Sequence, residues 1–388
     1  MYLDAGGVRR VHEAFGRPTD LIEQRRAVYR IAIQLLSNGS LPVASADVLD
    51  NPLVRGRLGE ALAGAANFSA DWLRPIDDLV AKGYSTDVDG FEVCLASAST
   101  AAVALRPVLV RVAHELSQHG DNSWTPTVVL ADDDRTAGAW QRLVAGIRMA
   151  TEVTPDLARD LLPHVALFAV CAAGTSDRLG SASAREFPGL VLLPEPQSAL
   201  EVAEALVHEG AHQKFFDLAL TNSIFGVALW TAPRFRPSWA PQDAPDWPIE
   251  QAFAAFHAYV CLGVFFAAGH RTFGRELARQ AHSLLPHAES RAAEIGEWLL
   301  DQGSCLGPHG HMLLERLLGR APTEFPVHGI SQLDRRLFEG AELVRCGSRT
   351  LVGRRGDSVE LYWIDEPSSV IALDRTGLAT VDVPLGDR

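Results

Sequence analysis

The chain has 388 residues, and with 47% of them hydrophobic it can bury a full core, enough for two domains or one large domain with an appendage. Its 35 basic and 48 acidic residues give a formal net charge of -13, which excludes phosphate-driven binding to nucleic acid or to an anionic membrane surface. Cys94, Cys171, Cys261, Cys305 and Cys346 are scattered without a CxxC pair, so they make neither a disulfide framework nor a zinc knuckle and fit a reducing cytoplasm.

The N-terminal stretch, MYLDAGGVRRVHEAFG, lacks the apolar run of a signal peptide. Residues 1 to about 120 read as helices joined by short loops. Asp20 to Leu36 carries apolar residues at helical spacing and closes on Asn38-Gly39, and Ala101 to Ser117 repeats the pattern. Thr127 to Ala131 is a short β-branched run that predicts a strand, after which 137–151 and 155–170 return to helical patterning. A loop rich in Gly, Ser and Ala over 174–184 precedes a buried strand, Gly189 to Leu193, bracketed by Pro188 and Pro194. Ser198 and Glu201 then form a capping box and start a helix that runs to about Leu220. Residues 221–247 are rich in Pro and Trp and predict an ordered loop. A second long helix covers about 248–268, with Pro248 in its first turn. Its apolar stretch, Ala258 to Gly269, is too short to span a bilayer and reads as a buried helix. Amphipathic helices continue to about Arg320, and alternating residues over Glu342 to Pro384 predict strands. The expected class is therefore α+β: a mainly helical domain over 1–330, followed by a small antiparallel β appendage over 331–388.

The helix over 198–220 contains His208-Glu209-Gly210-Ala211-His212. Residues four apart on a helix differ by about 40° in direction, so both imidazoles enter one space, where two neutral rings and one further ligand make a metal site with open positions. Glu209, about one residue around the helix, can reach a metal-bound water or a neighbouring ligand. His114 and His119 are five apart, about 140° around a helix, and cannot chelate one ion. A metzincin needs Gly and His seven and ten residues after the first His; Phe215 and Leu218 stand there, which excludes that class. The partner helix offers two third ligands. Glu250 would complete a zinc hydrolase with Glu209 as general base. His257, seven residues on and on nearly the same face, is the other. Lys214, one of only two lysines in a chain that otherwise uses Arg, sits inside the motif segment but points about 200° away from His212. His309 and His311, in a Pro/Gly segment, are rival ligands.

The runs PGLVLLP and ALVHEGAHQK, the Trp/Pro-rich loop and EQAFAAFHAYVCLGVFF together resemble the HExxH-type peptide β-hydroxylases. These are 2-oxoglutarate-dependent non-haem iron enzymes associated with ribosomally made, modified peptides. The likeness covers about residues 140–320. It implies a helical fold distinct from a jelly roll, with Fe(II) held by His208, His212 and His257, Glu209 beside the metal, and Lys214 following the motif. Members of that family carry Trp-Arg and Arg-Pro in the loop before the second helix, where this chain has Trp239-Ala240 and Trp247-Pro248, which leaves Arg234 and Arg236 as nearby groups for the cosubstrate carboxylate. Trp239 and Trp247 would wall a peptide groove. The implied partner is a peptide substrate, with neither nucleic acid nor membrane. A zinc hydrolase and a non-catalytic peptide-binding protein are the competing classes.

Overall fold

The computed structural model describes residues 4–37, 40–62, 66–117, 128–172, 181–227, 229–242, 244–272 and 274–320, and the strand segments 342–346, 350–355, 358–363, 370–373 and 381–382. The protein is mostly helical with a small sheet, as the sequence predicts. Four helices open the chain: α1 (Ala5–Glu13), α2 (Pro18–Leu36), α3 (Ala46–Asp50) and α4 (Pro52–Leu62).

The helical expectation for the first 120 residues fails at β1 (Val80–Val88) and β2 (Phe91–Ala96), an antiparallel hairpin. Its turn is Asp89-Gly90, with φ of 52° and 86°. Positive φ at both central residues defines the tight turn whose twist matches paired strands, and Asp-Gly is the pair that tolerates it. The helix α5 (Ala98–Ser117) follows. Thr127 to Ala131 does not become a full strand: among its described residues, Leu130 makes a single bridge to Cys171. After α6 (Asp133–Val153), the expected helix 155–170 divides into a short α7 (Pro155–Leu161) and β3 (Leu167–Cys171). The run LFAVC is buried at every position, and over five residues an all-apolar strand has no periodicity to distinguish it from a helix. Next comes β4 (Leu190–Pro194), which closes a four-stranded sheet in the order β1-β2-β3-β4 with the last two pairings parallel.

From the end of β4 the chain enters α8 (Ala199–Thr221), within a residue of its predicted span. A two-residue ladder pairs β5 (Arg234–Phe235) with β6 (Trp247–Pro248), and then come α9 (Ile249–Thr272), α10 (Arg275–Asp301) and α11 (Pro308–Leu317). α9 is long and apolar enough to cross a membrane, but 83% of its apolar window is buried inside the protein. Both α8 and α9 are buried over most of their surface, α8 even at Glu209, Gln213, Lys214 and Asp217, so each is packed on several sides. They cross at the centre of the largest core cluster, through Phe215, Phe253 and Phe256. Gly210 lets α7 approach closely, since a Cβ there would lie 3.2 Å from the Leu161 Cβ. Further along, β7 (Glu342–Cys346), β8 (Thr350–Arg355), β9 (Ser358–Trp363), β10 (Val370–Leu373) and β11 (Val381–Asp382) form one antiparallel five-stranded sheet in sequential order.

Candidate functional site

The site is built on α8. The Ser198 hydroxyl accepts from the Glu201 amide at 3.2 Å, and the Glu201 carboxylate accepts from the Gln197 amide at 2.8 Å, one residue before the capping box predicts. Gln213 ties the helix back to the sheet by accepting from the Gly189 amide at 2.6 Å and donating to the Leu190 carbonyl at 3.1 Å. This frame brings His208 and His212 together, with their Nε2 atoms 3.1 Å apart and ring centroids 4.7 Å apart. Burial, and then the neighbouring charge of His208, push the His212 pKa well below the ordinary imidazole value. His212 is therefore a neutral base at pH 7, and two facing Nε2 atoms at this distance need a proton or a cation between them.

His208 opens onto a cavity of about 460 Å³. Its walls come from the end of β4 (Leu193, Pro194), from Ser181, from Glu201 and Glu204 on α8, from Tyr259 on α9 and from Arg291 on α10. Such a place, at the carboxyl end of a parallel strand, is where open α/β sheets bind ligands. The Tyr259 ring lies 5.8 Å from that of His208. Arg291 donates to the Tyr259 hydroxyl at 3.0 Å, and its guanidinium lies over the Trp239 and Tyr259 rings at 5.1 and 5.3 Å. Arg291 has no carboxylate partner among the described residues.

Glu209 is 2% exposed and accepts from two hydroxyls, Ser181 Oγ at 2.7 Å and Ser183 Oγ at 2.6 Å. Both oxygens are thus occupied in holding the 181–183 segment against α8.

His257 does not join the imidazole pair. It is fully buried on the other side of α9: Tyr259, two residues on and about 200° around the helix, is the residue that faces His208. His257 Nδ1 donates to the Ala211 carbonyl at 2.9 Å, and its Nε2 lies 2.7 Å from His12 Nε2. His12 Nδ1 donates to Asp160, which also accepts from Lys214. With both Nδ1 atoms donating, the two Nε2 atoms face each other as acceptors. Burial pushes both imidazole pKa values down, and Asp160 opposes it. The expected third ligand is therefore part of a sealed network of His12, Asp160, Lys214 and His257. Lys214, read as solvated or curled toward a bound acid, is fully buried and committed to Asp160.

The other candidates are also placed. Glu250 is buried and ion-paired to Arg185, which removes it as a third ligand. Arg234 donates to the Asp246 carbonyl, and Arg236 to the Asp246 carboxylate at 3.0 Å and the Pro241 carbonyl at 2.9 Å. Both arginines organise their own loop and do not line the cavity. Trp239 and Trp247 pack on buried Phe235, and only Trp239 touches the site, under Arg291. His309 Nδ1 accepts from the Ser223 amide at 3.2 Å, pinning α11 to the end of α8. Among the described residues no three His, Cys, Asp or Glu side chains form a metal-sized cluster. Sequence reasoning missed Arg291, Tyr259 and Glu204. Arg291 lies alone in an amphipathic helix with no local signal, whereas Tyr259 and Glu204 could have been found by asking which residues flank the motif on the two helical faces.

No family model matches this chain, and no curated protein matches it.

Proposed function

We propose that this chain is an Fe(II)- and 2-oxoglutarate-dependent oxygenase that hydroxylates an unactivated carbon of a peptide residue. The observation that carries this reading is the His208–His212 pair on the wall of a cavity that also holds Arg291. Two nitrogens each about 2.1 Å from one ion would be about 3.0 Å apart at a right angle and about 3.4 Å apart at the tetrahedral angle. The 3.1 Å separation lies between the two, so the pair suits one shared ion of either geometry. The metal would be held by these two imidazoles, and not by His257.

Bound iron and 2-oxoglutarate would supply the oxidising power that no side chain has. The protein binds, orients and excludes water. Arg291, held by Tyr259 and two aromatic faces, keeps guanidinium donors for the carboxylate of a 2-oxo acid. Leu193 and Leu262 keep the neighbouring wall apolar. Glu209 braces the wall through Ser181 and Ser183. A zinc hydrolase needs Glu209 as a free base, and its two hydroxyl partners disfavour that alternative. The scattered cysteines, of which Cys94, Cys171, Cys261 and Cys305 are free thiols among the described residues, support a reducing cytoplasm. We read the C-terminal sheet as an appendage that engages the peptide away from the reacting residue.

The test is an anaerobic preparation given Fe(II), then 2-oxoglutarate, then oxygen. The reading expects oxygen uptake that requires both, succinate as product, and a substrate peptide heavier by one oxygen atom. Zinc-dependent peptide cleavage without oxygen uptake would sink it.

A further inference from the structure

Two opposite charges in this cavity are left without each other. Glu204 stands one turn before His208 on α8, is half-buried, and has neither a hydrogen bond nor an ion pair among the described residues. Burial, and then the charge of Glu201, push its carboxyl pKa up, so an added cation there would be favoured. Arg291, on the wall formed by α10, does not pair with it. Leu193, Ala205 and Leu262 line the same cavity and are apolar.

A cavity with apolar lining and an unpaired carboxylate matches one kind of side chain, a long aliphatic stem with a cationic tip. We infer that the cavity admits a lysine or arginine side chain of the peptide substrate, its stem along Leu193, Ala205 and Leu262 and its charge on Glu204. This inference rests on the peptide-oxygenase reading. It makes Glu204 a specificity residue that selects peptides with a basic residue at or beside the position modified. It also gives Arg291 and Glu204 separate tasks, one for the acid cosubstrate and one for the basic substrate.

The experiment uses capped pentapeptides, Gly-Gly-Xaa-Gly-Gly, with lysine, norleucine or glutamate at the centre. Binding is followed by NMR, with the full chain as purified and after anaerobic loading with Fe(II) and 2-oxoglutarate. The lysine peptide is expected to bind about tenfold more tightly than the norleucine peptide. That preference should vanish in Glu204→Gln and persist in Arg291→Gln, with the iron content of Glu204→Gln unchanged. Equal binding of the lysine and norleucine peptides, including no binding of either, overturns the inference. So does a preference that survives Glu204→Gln, or loss of iron in that variant, which would make Glu204 a metal ligand. A lysine preference in a protein that takes up neither iron nor 2-oxoglutarate would remove the oxygenase reading and leave this inference standing. Uptake of both without the preference does the reverse.

Discussion

Replacing Asp160 with Asn tests whether the His257 network is structural. The Asp160 side chain is 4% exposed and accepts from Lys214 and His12, both 0% exposed, so solvent does not screen these charges. Asp160→Asn leaves a buried ammonium facing a neutral amide, and breaking a buried pair from one side costs about 3–5 kcal/mol. At about 2.1 cal/mol/K per residue, unfolding 388 residues carries about 0.8 kcal/mol/K, so the melting temperature should fall by about 4–6 °C. The double variant Asp160→Asn, Lys214→Met removes both charges and should recover at least about 2 kcal/mol of that loss. The pH dependence has a definite sign. Burial alone would raise the Asp160 pKa, but His12 and Lys214 outweigh it and hold the carboxyl below its ordinary range. The stability it contributes is therefore fully present above about pH 4, the unfolded carboxylate value, and is lost as pH falls through the folded one. Calorimetric melts of the three proteins between pH 3 and 7.5 read all of this. A shift under about 1 °C in the single variant, or strict additivity in the double one, would refute the reasoning.

Glu209→Gln should lower turnover by less than about tenfold while keeping the metal, since removal of a general base costs about 10²–10⁴ in rate; steady-state kinetics separates the two. Arg291→Gln should weaken 2-oxoglutarate binding by about 10- to 150-fold, the worth of a charge-assisted hydrogen bond, with iron retained, as read by anaerobic titration. Asp50 accepts from Arg25 at 2.9 Å and Arg55 at 2.5 Å and also binds Arg26, and these guanidiniums hold its carboxyl below the ordinary range against burial. Asp50→Asn should cost about 3–5 kcal/mol in denaturant titrations above pH 4, and less below that pH, where the unfolded wild-type chain takes up a proton on this carboxyl.

The helix bearing the motif was fully legible, because a capping residue, a preceding apolar strand and an i, i+4 pair all state the same thing locally. The β1–β2 hairpin carried its signal in Asp89-Gly90, and the helical reading of the N-terminal part overrode it. LFAVC could not be resolved, since five consecutive apolar residues fit a buried strand and a buried helix equally. His257 illustrates a deeper limit. Its sequence fixes that it lies on a buried helix facing inward, but a helix buried all round has two inward faces. Tyr259 took the one toward His208, and His257 took the one toward α1. That choice depends on how α1 and α7 pack, through His12 and Asp160, which lie far along the chain from each other and from α9. Lys214 misled for the same reason: its direction away from His212 was read correctly, but what lay there was Asp160 and not water.

Anaerobic Fe(II) titration of the wild type, His208→Ala, His212→Ala and His257→Gln, each checked for native helix content, bears most directly on the central claim. The account predicts one iron per chain in the wild type and in His257→Gln, and none in the two alanine variants. Absence of iron from the wild type, or its loss from folded His257→Gln, would contradict it.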